Sequence, residues 1–139
     1  MKKSALINSE LSYLVSTLGH TDEVTICDAG LPIPEETLRI DLALTLGVPS
    51  FLQTVKVYLS EVQIEGVLLA EEFKRVSPQA HDALMALIDN EARVTGKDIS
   101  VSYISHEEFK VRTQDSKAVV RTGECTPYAN VIFQSGVVF

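Results

Sequence analysis

Leu11, Leu14, Val15 and Leu18 fall at i, i+3, i+4 and i+7, the spacing of a helix with one apolar face. Asn8 or Ser9 stands where such a helix needs its cap, and Gly19 stands where it stops. The pattern then changes to a short apolar run, Val24–Cys27, which predicts a buried strand. Leu38–Leu44 alternates weakly and predicts a second strand, while Ser50–Lys56, behind Pro49, leans towards helix. Val62–Leu69 is rich in β-branched and aliphatic residues and predicts a strand, weakened by Gly66. Ser77-Pro78 opens a helix with proline in its first turn; Ala80, Leu84, Leu87, Ile88 and Ala92 give it an apolar face, and Gly96 ends it. Ile99–Ile104 predicts a strand. Ser105-His106-Glu107-Glu108 is a capping-box pattern that starts a short helix from His106 to about Thr113. Ala118–Arg121 and Val131–Val138 predict two further strands, joined by a loop at Thr122–Pro127.

Strands alternating with helices predict an α/β fold with a mostly parallel sheet. The expected architecture is one three-layer α/β/α domain over residues 1–139, its mixed sheet carrying the last strand antiparallel at an edge. That arrangement concentrates polar residues. Asp28 follows the first strand, at the start of a Gly/Pro loop running to Pro34, and His106 follows the strand at Ile99–Ile104. Open α/β sheets bind ligands beyond the carboxyl ends of their strands, which makes both residues site candidates. Tyr128, Ala129 and Asn130 precede the last strand and reach the same edge only if that strand is antiparallel. His20 lies before the first strand, and five strand residues at ~3.3 Å each put it roughly 16 Å from Asp28. One ligand touches both if the chain curls sharply; otherwise His20 of one subunit meets the other residues on a second subunit.

Plainer roles compete for each residue. His20 follows a helix end, where a cation meets the negative pole of the helix dipole. Asp28 suits an Asx-turn, His106 a solvated helix start, and Tyr128 and Asn130 an ordinary turn. His81, beside Gln79 and Asp82, reads as a surface residue, and Glu71, Glu72, Lys74 and Arg75 read as a solvated charge run.

A net charge of −7 leaves no basic patch for phosphates, which argues against nucleic acid and anionic membranes and favours a neutral small molecule. Met1-Lys2-Lys3 is followed by no apolar signal region, and no apolar run approaches the ~20 residues of a membrane-spanning helix. Cys27 and Cys125 lack a Cys-x-x-Cys spacing, so they read as small buried hydrophobes in a cytoplasmic protein with reduced thiols. No zinc-ligand spacing, phosphate-binding glycine loop or nucleophile motif occurs, so no metal is expected.

Several longer matches then stand in a fixed order: Gly-His-Thr-Asp at 19–22, Asp-Ala-Gly-Leu-Pro-Ile-Pro at 28–34, Arg-Ile-Asp at 39–41, His106-Glu107, and Gly-Glu-Cys-Thr-Pro-Tyr-Ala-Asn at 123–130. On these motifs the chain resembles, from end to end, the D-ribose pyranase and L-fucose mutarotase family. Thr21 and Ala129 fit the ribose branch, where the fucose branch has glycine in both places. The resemblance implies a cytoplasmic, cofactor-free isomerase that interconverts β-ribopyranose and β-ribofuranose. It implies pentameric rings, often paired as decamers, with sites between subunits. It places the proton donor at His20 and sugar-binding positions at Asp28, His106, Tyr128, Ala129 and Asn130. Two other readings stay open: a non-catalytic sugar-binding or transport accessory protein, and a mutarotase for L-fucose.

Overall fold

The computed structural model describes residues Met1–Phe139. Helix α1 (Ser9–Thr17) starts where Asn8 Oδ1 accepts the N–H of Leu11, and it buries Leu11 and Leu14. It stops before Gly19, but with Leu18 extended and no left-handed glycine. Strands β1 (Glu23–Cys27) and β2 (Arg39–Asp41) follow; β2 is much shorter than the Leu38–Leu44 alternation suggests. The ambiguous segment after Pro49 is helix α2 (Phe51–Leu59), closed by a full capping box between Ser50 and Gln53. Strand β3 (Ile64–Ala70) runs directly into an unexpected helix α3 (Glu71–Val76), the supposed charge run. Helix α4 (Pro78–Thr95) ends on left-handed Gly96. Then come β4 (Ser100–Ile104), α5 (His106–Arg112) with the Ser105–Glu108 capping box complete, β5 (Ala118–Arg121) and β6 (Val131–Ser135).

The strands form one six-stranded sheet in the order β2-β5-β1-β6-β3-β4. β1, β2 and β5 run parallel, β3 and β4 run parallel, and β6 is antiparallel to both β1 and β3. The last strand is therefore antiparallel as expected, but it lies inside the sheet and not at its edge. The reason is legible in Val131-Ile132-Phe133. This unbroken apolar run is buried on both faces, as an interior strand requires and an edge strand does not.

Alternate strand residues divide between two layers. Val24, Ile26, Val120, Phe133, Val67 and Leu69 meet Leu11 and Leu14 of α1, Phe51, Val55 and Tyr58 of α2, and Leu84 and Ile88 of α4. Tyr58 stacks on Phe133 with ring centroids 5.4 Å apart, a pairing that contributes ~0.5–1.5 kcal/mol beyond its area. On the other face Cys27, Val119, Ile132 and Ala70 pack against Leu31 and against Phe109 of α5. The three-layer α/β/α architecture holds, with one thick and one thin helical layer. No helix is long and apolar enough to cross a membrane.

Five strands point one way and β6 the other, so one sheet edge collects the carboxyl ends of β1, β3, β4 and β5 with the amino end of β6. Asp28, Glu72, His106, Glu124 and Asn130 all follow or precede their strands at that edge.

Candidate functional site

Asp28 and Asn130 hold each other across the strand ends. The Asp28 N–H donates to Asn130 Oδ1 at 2.8 Å, and Asn130 Nδ2 donates to Asp28 Oδ2 at 3.2 Å. Asn130 is fully buried, so this exchange satisfies an amide that water cannot reach. Asp28 Oδ1 accepts from the Gly30 N–H at 2.9 Å, which is the expected Asx-turn. Asp28 therefore shapes its own loop and still lines the cavity beside it.

Tyr128 has φ 62°, a left-handed conformation uncommon for a bulky side chain. It places the ring edge-to-face with His106, centroids 4.8 Å apart. Ala129 is buried behind them. Asp28, His106, Tyr128, Gly30, Leu31, Pro32 and Pro127 line an open cavity of about 170 Å³. That is below the ~300–1,000 Å³ of pockets for drug-sized ligands and suits a small one. His106 occupies the first position of α5, as the capping box implies, and its Nδ1 is buried without a hydrogen-bond partner in the chain. Unpaired buried polar atoms are rare in native structures, so this one marks the cavity wall as unusual.

His20 stands apart from this group. The turn at 19–22 is tied to the far end of β6, where the Thr21 N–H donates to the Ser135 carbonyl at 2.9 Å and the Ser135 N–H to the Asp22 carbonyl at 2.8 Å. This is the opposite sheet edge from Asp28. His20 contacts no helix carbonyl; its Nε2 meets both carboxylate oxygens of Glu65, at 2.9 and 3.1 Å. Within one chain, then, the structure unites Asp28, His106, Tyr128, Ala129 and Asn130 and leaves His20 outside.

Three residues take supporting roles that the sequence pattern does not assign them. Glu72 Oε2 accepts the His106 N–H at 2.9 Å, so the charge run is not merely solvated. Its position two residues past the carboxyl end of β3 is the available signal. Ser77 Oγ donates to the Pro127 carbonyl at 2.8 Å and braces the Tyr128 turn. Glu124 organises the loop leading into it, accepting from the N–H groups of Phe51, Cys125 and Thr126 and from the Thr126 hydroxyl. Partial burial raises the Glu124 carboxyl, but these donors outweigh burial and hold it below its ordinary 4.5. Its folded value thus lies under its unfolded value. The stabilisation is present above the unfolded value and is lost as pH falls through the folded one. Glu124→Gln is expected to lower the melting temperature at pH 7, and its gap from the parent protein is expected to close as pH falls below the ordinary carboxylate value; thermal unfolding across that pH range measures this.

Two other readings need correction. His81 is 4% exposed, not on the surface, because its Nε2 meets the Tyr103 hydroxyl at 2.7 Å and its ring packs edge-on against Phe73. Cys125 is exposed, since its loop turns outward around Glu124; Cys27 is buried as expected, and burial with the neighbouring Asp28 carboxylate pushes its thiol up to about 12. That value makes Cys27 a packing residue and not a nucleophile. No three His, Cys, Asp or Glu side chains gather at metal-binding distance.

The chain matches the RbsD / FucU transport protein family over residues 1–138. It is 74% identical over 139 residues to a D-ribose pyranase of Photobacterium profundum, and 70% identical to one of Vibrio parahaemolyticus, each covered in full on both sides. Its fold superposes on Bacillus subtilis RbsD complexed with D-ribose at a TM-score of 0.90 and 45% identity, with both chains fully covered. A fucose mutarotase from Streptococcus pneumoniae in complex with L-fucose shares the fold at a TM-score of 0.78 and 22% identity, again with both chains fully covered.

Proposed function

Because the chain belongs to the RbsD / FucU family, we propose that it is a D-ribose pyranase, an isomerase that exchanges the pyranose and furanose rings of D-ribose. The observation that carries this reading is the cavity lined by Asp28, His106 and Tyr128, with Asn130 holding Asp28 in place, in a chain matched end to end by D-ribose pyranases. The cavity is small and carries the Asp28 carboxylate, and the chain is net negative, which together favour a free sugar over a phosphorylated one.

The reaction needs only proton transfers. The anomeric hydroxyl gives up its hydrogen, the C1–O5 electron pair leaves with the ring oxygen, and that oxygen takes a proton. The open aldehyde then closes as the C4 hydroxyl adds to C1 and the protons return. His20 is the proton donor to the ring oxygen. Histidine suits this because its ordinary pKa of ~6.5 makes both protonation states accessible near neutral pH. Asp28 accepts hydrogen bonds from sugar hydroxyls, while Asn130, His106 and the backbone at Ala129 fix the sugar's orientation. The Tyr128 ring offers an apolar face to the sugar carbons.

His20 and the cavity lie at opposite sheet edges, so this mechanism requires a second protomer to bring its own His20 to the first protomer's cavity. Pentameric rings, paired as decamers, supply such shared sites, and the protein works in the cytoplasm without a cofactor. Two-dimensional exchange NMR of D-ribose tests the activity. Pyranose–furanose cross-peaks are expected to grow faster with protein than without, and faster for ribose than for L-fucose. Bound ribose with an unchanged exchange rate would instead establish a non-catalytic binding protein. Sedimentation measures the assembly.

A further inference from the structure

Glu65 lies outside the cavity, and the backbone around it is irregular in a way that bears on where its side chain points. The register of β3 against β6 slips between Ile64 and Gly66, leaving Glu65 as an extra residue in the strand. Such bulges re-aim a side chain that regular pairing would send elsewhere. The Glu65 carbonyl is pinned by the Ser100 hydroxyl at 3.2 Å. Gly136 gives the side chain room: a Cβ there would sit 3.2 Å from Glu65 Cβ and 3.4 Å from Oε2. Opposite, Thr21 takes a left-handed φ of 70°, and Asp22 Oδ2 accepts the Gly19 N–H at 2.8 Å, so the turn carrying His20 is itself fixed. Both halves of the contact are thus held by backbone, although the His20 side chain is 55% exposed.

The geometry points to Glu65 as the positioning residue for His20, acting through the imidazole Nε2 to present Nδ1 to the sugar. This rests on the reading of His20 as the proton donor. A carboxylate only accepts, so the nitrogen facing it carries hydrogen. Nε2–H is committed to Glu65, and Nδ1 is the nitrogen that exchanges a proton with the ring oxygen. The carboxylate orients the ring and stabilises the imidazolium that supplies the proton, without taking the proton itself. The same division of labour is general for histidines backed by carboxylates.

The test measures kcat and KM for ribose ring exchange by saturation-transfer NMR in the assembled protein, with thermal unfolding and sedimentation of each variant. Glu65→Ala is expected to lower kcat roughly 10–100-fold, the range for partners that orient a histidine from its far nitrogen, with KM within about twofold. Glu65→Gln keeps the shape and one acceptor oxygen and is expected to retain more activity than Glu65→Ala. If Glu65→Ala does not fold, the Gln variant carries the comparison: it lacks the negative charge that stabilises the imidazolium, so its kcat is still expected to fall severalfold below the parent. The double variant His20→Ala with Glu65→Ala is expected to be no slower than His20→Ala alone, because Glu65 acts only through that ring. Parent-like kcat in Glu65→Ala, or in Glu65→Gln where it stands in, overturns the assignment, as does a further loss in the double variant. Parent-like activity in His20→Ala overturns the reading of His20 itself, and this assignment with it.

Discussion

Replacing His20 with alanine is expected to slow pyranose–furanose exchange by ~10²–10⁴-fold, the usual contribution of a positioned acid or base. Ribose binding is expected to survive, because the groups that line the cavity belong to the other sheet edge and none touches His20 within the chain. The expected signature is therefore a fall in kcat with little change in KM, the pattern of an interaction made in the transition state. The fold should be indifferent, since His20 is exposed and its Glu65 contact is a surface ion pair of small value. Exchange NMR across a range of ribose concentrations separates the two constants. A variant with parent-like kcat would remove His20 from the chemistry and leave the cavity as a binding site. The experiment also tests sharing between subunits. Mixing His20→Ala protomers with Asp28→Ala protomers is expected to restore some sites to full function only if one chain's histidine serves another chain's cavity.

Local structure was legible in the sequence because its causes are local. The Ser105–Glu108 capping box, the proline at 78 and the left-handed glycine at 96 act within a few residues, and each element they bound formed where expected. Placing Asp28, His106 and Asn130 at one edge also followed from strand direction alone. Apart from the unexpected helix α3 and the shorter β2, what failed was non-local. Strand order decides that β6 is interior, and only the double-sided burial of Val131-Ile132-Phe133 hinted at it. Glu72 looked like a solvated charge and Glu65 drew no notice, because their partners lie 34 and 45 residues away and no periodicity links such pairs. His81 failed for the same reason. Its neighbours Gln79 and Asp82 are polar, while the groups that bury it, Phe73 and Tyr103, come from α3 and β4. Glu124 was visible inside a motif, but its role as a collector of hydrogen bonds depends on α2 folding back beside it.

Asn130 ties that non-local geometry to the site, and its replacement is expected to damage both fold and binding. Asn130→Ala strips a buried acceptor from the Asp28 N–H and a donor from the Asp28 carboxylate. Leaving such groups unpaired costs about 1–3 kcal/mol. Asn130→Asp discriminates further, because the shape is kept and the backbone N–H retains its acceptor. The donor to Asp28 Oδ2, now 3.2 Å away, becomes a second carboxylate oxygen. Two carboxylates that close do not both ionise readily, so one is held protonated to a higher pH in the folded variant than in the unfolded chain. A value raised on folding contributes stability below the unfolded pKa and loses it as pH rises through the folded one. Asn130→Asp is therefore expected to approach Asn130→Ala or fall below it at pH 7, and to recover towards the parent protein near pH 4. Asn130→Ala is expected to show no such recovery. Thermal unfolding of the three proteins across pH measures the difference, and ribose titration is expected to track it, since the protonated pair restores a hydrogen bond to Asp28. Equal pH profiles for the two variants would mean that Asn130 fills space beside Asp28 without governing its charge.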